Sequence, residues 1–202
     1  MKHLINNVKI AVNEKTYVKN PESSDLGKRI VQSGIALISE VGFENFNFRK
    51  LGARIGSNES SVYRYFENKH KFLIYLSSWY WGWKEYQLVL TTNNIQDPAY
   101  KLERALNVLT EPVEADSSFS YIDEAALYQI VINEYSKSFL TKEVDRENKE
   151  GYFEIYKRMV GRLQDMILAV NPDYPFSASL ASTVLEGAMH QYFLKEHFPS
   201  LT

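Results

Sequence analysis

The chain has 202 residues, enough for one ordinary core or for a small module joined to a larger domain, and its 45% hydrophobic and 24% charged content lies in the globular range. The absence of cysteine excludes a disulfide scaffold, a zinc–thiolate or iron–sulfur site and a cysteine nucleophile, and fits a reducing compartment. The net charge of -2 is unevenly placed: residues 1–24 carry +2, residues 25–71 carry +3 and residues 72–202 carry -7, so the N-terminal part is suited to face an anion and the C-terminal part has other work.

Residues 1–20 form an arm with four lysines, either held out toward an anion or disordered; Val8, Ile10 and Val12 alternate like a short extended piece. Met1 to Asn7 reaches Lys9 before an apolar core develops, so no secretory signal is expected. The most apolar stretch, Phe72 to Trp83, is short of the roughly 18–20 residues a membrane span needs. The cytoplasm is the expected location, with no membrane partner.

Leu26, Ile30, Leu37 and Val41 recur at helical spacing, predicting a first helix from Pro21 or Ser24 to Val41 that Gly42 closes. Asn47 caps a second, two-turn helix ending at Gly56, and Asn58 caps a third, from Glu59 to about Phe66, with Val62 and Phe66 inward. Asn68 then caps a long fourth helix whose stripe is Phe72, Leu76, Trp79, Trp83, Tyr86 and Leu90. Asp97-Pro98 opens a fifth, with Leu102, Leu106 and Leu109 inward, and Pro112 to Ser118 reads as a loop.

Tyr121 to Leu140 reads as helix, and the charged run Lys142 to Glu150 as either loop or solvated helical turn. Tyr156, Val160, Leu163, Ile167 and Val170 mark a helix over about 152–170. A last helix over about 176–197 carries Leu180, Val184, Gly187 and Leu194, with Ala181, Leu185 and Ala188 beside them. The fold class is all-α, with about nine helices: an N-terminal three-helix module over 21–70 and a larger helical part over 71–202.

Two short helices joined by a glycine-containing turn within residues 47–66 have the layout of a helix-turn-helix. A helix that reads base edges presents small polar side chains near its N-terminus and is flanked by donors to phosphate. Glu59, Ser60, Ser61 and Arg64 are of the first kind. Arg49, Lys50, Tyr63, Tyr65, Lys69 and Lys71 are of the second. The cations of Lys69-His70-Lys71 oppose the dipole at a helix start; a nearby phosphate would remove the conflict, and a solvated turn is the plain alternative.

The run FNFRKLGARIGSNESSVYRYFENKHKFL, Phe46 to Leu73, resembles the DNA-binding region of the tetracycline-repressor (TetR) family, most specifically in VYRYFENK, Val62 to Lys69. The resemblance implies that Asn47 caps helix two near a phosphate, that Asn58 through Arg64 enter the major groove, and that Tyr63, Tyr65 and Lys69 contact the DNA backbone. It implies a ligand-responsive regulator, a repressor rather than an activator, that holds a palindromic operator in double-stranded DNA as a homodimer through helices 152–170 and 176–197. Gly52 departs from the family's alanine and should cost its helix about 1 kcal/mol; Ser57 replaces an apolar turn residue and loses a packing contact; Ser60 stands where glycine is frequent.

The aromatic stripe offers Trp79 and Trp83, with Tyr121 and Tyr128, as lining for an unknown small-molecule effector; core packing is the plain alternative. His190 and His197 lack the spacing of a metal pair, and neither a phosphate loop nor a nucleophile elbow occurs, so no metal, cofactor or catalysis is expected. A helical small-molecule carrier or interaction module without specific DNA binding is the alternative reading, and the acidic C-terminal part suits it.

Overall fold

A computed structural model describes residues 9–111, 113 and 121–202. It contains, among these, nine α-helices and no strand: α1 (Asp25–Asn45), α2 (Phe48–Arg54), α3 (Glu59–Tyr63), α4 (Lys69–Thr92), α5 (Pro98–Thr110), α6 (Glu124–Phe139), α7 (Val144–Lys149), α8 (Glu154–Val170) and α9 (Ser177–His197). Three short 3-10 turns, Glu14–Thr16, Pro21–Ser23 and Pro199–Leu201, complete the order. The expected loop from Pro112 to Ser118 lies outside the described residues except for Val113, as does Val8 of the expected extended piece. Two compact units hold the described residues, one within Met1–Tyr80 and Val113–Tyr152, the other within Trp81–Pro112 and Phe153–Thr202. The first half of α4 belongs to one unit and its second half to the other.

Side-chain caps set the helix starts in the first unit. The Ser24 hydroxyl accepts from the Gly27 amide at 3.2 Å, the Asn47 side chain from Lys50 and the Asn68 side chain from Lys71, both at 2.9 Å. Gly42 takes φ +75°, which breaks the regular helix where the sequence places its end, although the helical span runs on to Asn45. Behind α2 and α3 lies an aromatic core. Phe66 meets Phe72 at 4.8 Å and Tyr75 at 5.2 Å between ring centroids, and Phe46 stacks on Phe72 at 5.5 Å. Leu51, Val62, Phe66 and Phe72 are wholly buried, each such side chain stabilising the unit by about 1.5–3 kcal/mol. Two helices this short exist because that shared core holds them.

Residues 9–20 are not a free arm. Ile10, Thr16 and Pro21 are buried, the Val18 amide donates to the Tyr65 carbonyl at 2.8 Å, and the Asn13 side chain donates to the Glu150 carbonyl at 3.0 Å. The charged run after α6 forms helix α7 rather than a loop, because Glu147, only 1% exposed, turns inward to meet His70.

In the second unit, Leu88 is buried and Leu90 is 59% exposed, so the expected stripe of α4 shifts near its C-terminal end. Asp97 caps α5 by accepting from the Tyr100 amide at 2.7 Å. Helix α8 buries Ile155, Met159, Leu163 and Ile167, a strict four-residue row, and leaves Val170 exposed; Tyr156 and Val160 are half-buried. Helix α9 packs on α8 with Ala181, Leu185 and Met189, while Leu180 of the expected row is exposed. Glu85 is clamped by Arg158 at 2.7 and 3.1 Å and by Arg162 at 2.8 Å. Burial alone would push its carboxyl up, but the two guanidinium groups outweigh burial and hold it below the ordinary value.

Candidate nucleic-acid interface

Helices α2 and α3 are joined by Ile55 to Asn58. Gly56 makes the turn with φ +68°, a left-handed conformation that suits glycine, and the Ser57 amide donates to the Gly52 carbonyl at 2.8 Å. The Asn58 side chain accepts from the Ser61 amide at 3.0 Å and fixes the first turn of α3. At Gly52 the two helices come close: a Cβ there would lie 2.6 Å from the Asn58 carbonyl carbon and 2.8 Å from the Glu59 nitrogen. The expected helix-propensity cost of Gly52 is therefore not a defect, since alanine would strike backbone. Ser57 also has a role that its polar chemistry supplies, donating to the Ser61 hydroxyl at 2.8 Å.

On this frame Arg49, Glu59, Ser60 and Arg64 are exposed, as are the capping residues Asn47 and Asn58. Tyr63 is 49% exposed and is braced by Phe48 at 5.0 Å between ring centroids. Residues Glu59, Ser60, Tyr63 and Arg64 thus form a short exposed stretch at and just beyond α3, anchored from beneath by Val62 and Phe66.

Three of the expected contacts are placed differently. Ser61 is buried and turned toward Ser57 and Asn58. Tyr65 is only 3% exposed, with its hydroxyl 2.8 Å from the Ser24 hydroxyl. Lys71, read as a phosphate donor, is buried against Tyr152, to whose hydroxyl it donates, and burial lowers its ammonium below the ordinary value. Lys69 is half-buried and donates to the Phe43 and Glu44 carbonyls at 3.3 Å each, closing the C-terminal end of α1. The charge conflict at the start of α4 is met from within the chain: both carboxylate oxygens of Glu147 lie 3.1 Å from His70 Nε2. Sequence spacing gave no sign of this partner, which lies 77 positions away.

The expected effector residues are built into the two units separately. Trp79 and Tyr128 are buried in the first unit, where Tyr80 stacks on Tyr128 at 6.0 Å, and half-buried Tyr121 donates to Glu22 at 2.5 Å. Burial first, and Glu22 second, push the Tyr121 phenol well above its ordinary value. Trp83 is buried in the second unit beside the Lys84 ammonium, 5.3 Å from its ring. Among the described residues no group of three or more His, Asp or Glu is placed to hold a metal ion, and no helix is long and apolar enough to cross a membrane.

Residues 30–76 match the family model described as bacterial regulatory proteins, tetR family. No curated protein matches the chain significantly. Among solved structures, AibR in complex with isovaleryl coenzyme A and operator DNA is similar at 16% identity and a TM-score of 0.60, over 84% of this chain and 85% of that one. A transcriptional regulator from Rhodococcus sp. Rha1 is similar at 16% identity and a TM-score of 0.59, over 91% of this chain and 87% of that one. These two likenesses are of fold, and the family match falls on the helix-turn-helix just described. The sequence match to bacterial regulatory proteins of the tetR family thus covers residues 30–76, the helix-turn-helix and the start of α4, and the likeness of the rest of the chain is one of fold.

Proposed function

We propose that the protein is a homodimeric, effector-responsive repressor that binds a palindromic operator in the cytoplasm and catalyses no reaction. The observation that carries this reading is the exposed row Glu59, Ser60, Tyr63 and Arg64 on a recognition helix fixed by a side-chain cap and by glycine-close packing. In this reading residues 21–70 are the DNA-binding domain and residues 71–202 bind the effector and the second copy. Arg64 and Ser60 reach base edges; Arg49, Tyr63 and the capped ends at Asn47 and Asn58 face phosphates. Two recognition helices in a dimer meet half-sites about 34–36 Å apart, one turn of DNA.

Effector control has support from AibR, a structural relative captured with both an acyl-coenzyme A and operator DNA. Of the aromatic residues expected to line an effector site, we assign Trp79, Tyr121 and Tyr128, which share the first unit, to effector binding, and Trp83 lies in the second unit. An effector that prefers one spacing of the recognition helices shifts the dimer toward or away from the operator. Dimerisation is assigned to α8 and α9. A Cβ added at Gly161 or Gly187 meets nothing within 4 Å, and Leu180 and Val170 of the same two helices are exposed.

Arg64→Ala tests the reading. Binding to the operator should weaken by about 1–3 kcal/mol while binding to a scrambled duplex changes less, measured by fluorescence anisotropy. Equal affinity of wild type and variant for every duplex would favour a helical carrier that has kept the architecture alone.

A further inference from the structure

The resemblance to the family places a backbone contact at Tyr65, and in this chain that contact is closed. The ring is buried and its hydroxyl is held by Ser24. The segment ahead of α1 covers it. The Val18 amide donates to the Tyr65 carbonyl at 2.8 Å, and Lys19 Nζ lies 5.3 Å from the centroid of the Tyr65 ring. Both Val18 and Lys19 are exposed.

This segment is anchored over its length. Thr16 is wholly buried, Tyr17 stands edge-on to Tyr75 at 6.2 Å, and Asn13 is bonded to the Glu150 carbonyl. Lys19 is therefore held one residue beyond a backbone hydrogen bond to the end of the recognition segment, directly after Arg64. Its stem lies over an aromatic face and no carboxylate pairs with it among the described residues. Of the other cations near this segment, Lys69 is engaged on the Phe43 and Glu44 carbonyls, Lys71 on Tyr152 and Arg54 on Glu40 at 2.6 and 2.7 Å, while Arg49 and Arg64 are exposed.

We propose that Lys19 is a DNA-phosphate contact at the end of the recognition helix, standing in the place that Tyr65 has lost. The inference rests on the DNA-binding reading and lies outside the residues the family model matches. A pinned ammonium loses less freedom on binding than one on a loose tail. Because a phosphate carries no base identity, the contact adds affinity to every sequence alike.

The test uses the full-length protein, the inverted repeat it enriches from genomic fragments, and a scrambled duplex of equal length. Lys19→Met keeps the apolar stem over Tyr65 and removes the charge; Lys19→Arg keeps the charge. Lys19→Met should weaken binding to both duplexes by the same factor. It should also flatten the slope of log affinity against log salt by about 0.9 for each protomer bound. Lys19→Arg should restore the slope. An unchanged slope in Lys19→Met, with Arg64→Ala still weakening binding to the repeat, overturns the inference and leaves the DNA-binding reading standing. A loss confined to the repeat also overturns it, since that marks a base contact. If neither Lys19→Met nor Arg64→Ala alters binding, both ideas fall.

Discussion

A methyl group added at position 52 would meet the backbone of the turn before the recognition helix at 2.6–2.9 Å, a gap that no rotamer change can open. Gly52→Ala gains about 1 kcal/mol of helix propensity but overpacks the α2–α3 contact at a cost of about 1–3 kcal/mol. Urea unfolding should show a net loss of stability, and a more stable variant would show that the two helices can separate freely. At this scale the sequence was legible wherever chemistry is local. Asn47, Asn58, Asn68 and Asp97 cap as their residue types demand, and Gly56 turns as its position demands. It was not legible where burial depends on distant chain. Tyr65 and Lys71 resemble surface donors in the sequence, and they are covered by the Val18–Lys19 segment and by Tyr152.

Helix α5 ends against a buried cation. Lys84, 4% exposed, donates to the Val108 carbonyl at 2.9 Å, one of the last-turn carbonyls without a partner in its own helix, and the Tyr192 hydroxyl donates to the Thr110 carbonyl beside it. Burial pushes the Lys84 ammonium down to about 8 from 10.5, with Glu111 opposing weakly. The depressed value means that the unfolded chain binds the proton more tightly, so stability rises as pH climbs from about 8 to 10.5. The full effect is at most about 3 kcal/mol. Lys84→Met removes the titrating group, and wild type should gain melting temperature relative to it between pH 7 and 10. Parallel curves would show that the ammonium is well solvated. Periodicity found the long helices, left α7 open between loop and helical turn, and misjudged faces. Helices α4 and α9 have no single apolar face, so spacing alone does not choose the row that meets the chain's own core, and on α8 the buried row Ile155, Met159, Leu163 and Ile167 lies beside the expected one.

For the molecule as a whole, the proposed meeting place of two copies is on α8 and α9. Gly161 and Gly187 open onto free space, and the exposed Leu180 and Val170 lie on the same two helices. Gly187→Arg should leave the protomer folded by circular dichroism while shifting it from dimer to monomer in sedimentation, with operator affinity falling because one half-site remains engaged. A folded variant that stays dimeric would place the interface elsewhere. The helix-turn-helix spacing picked out in the sequence the segment that the family model matches. The effector was not legible, because the residues that line such a site are the same large aromatics that fill a core.

In the proposed function α3 reads a specific DNA sequence. The most direct test is to select fragments of the source genome with the purified protein at about 150 mM salt, where non-specific attraction to phosphate is already weakened. Enrichment of one inverted repeat, with half-sites one turn apart, is the predicted result. A folded, dimeric protein that enriches no sequence, with or without cell extract supplying small molecules, would contradict it.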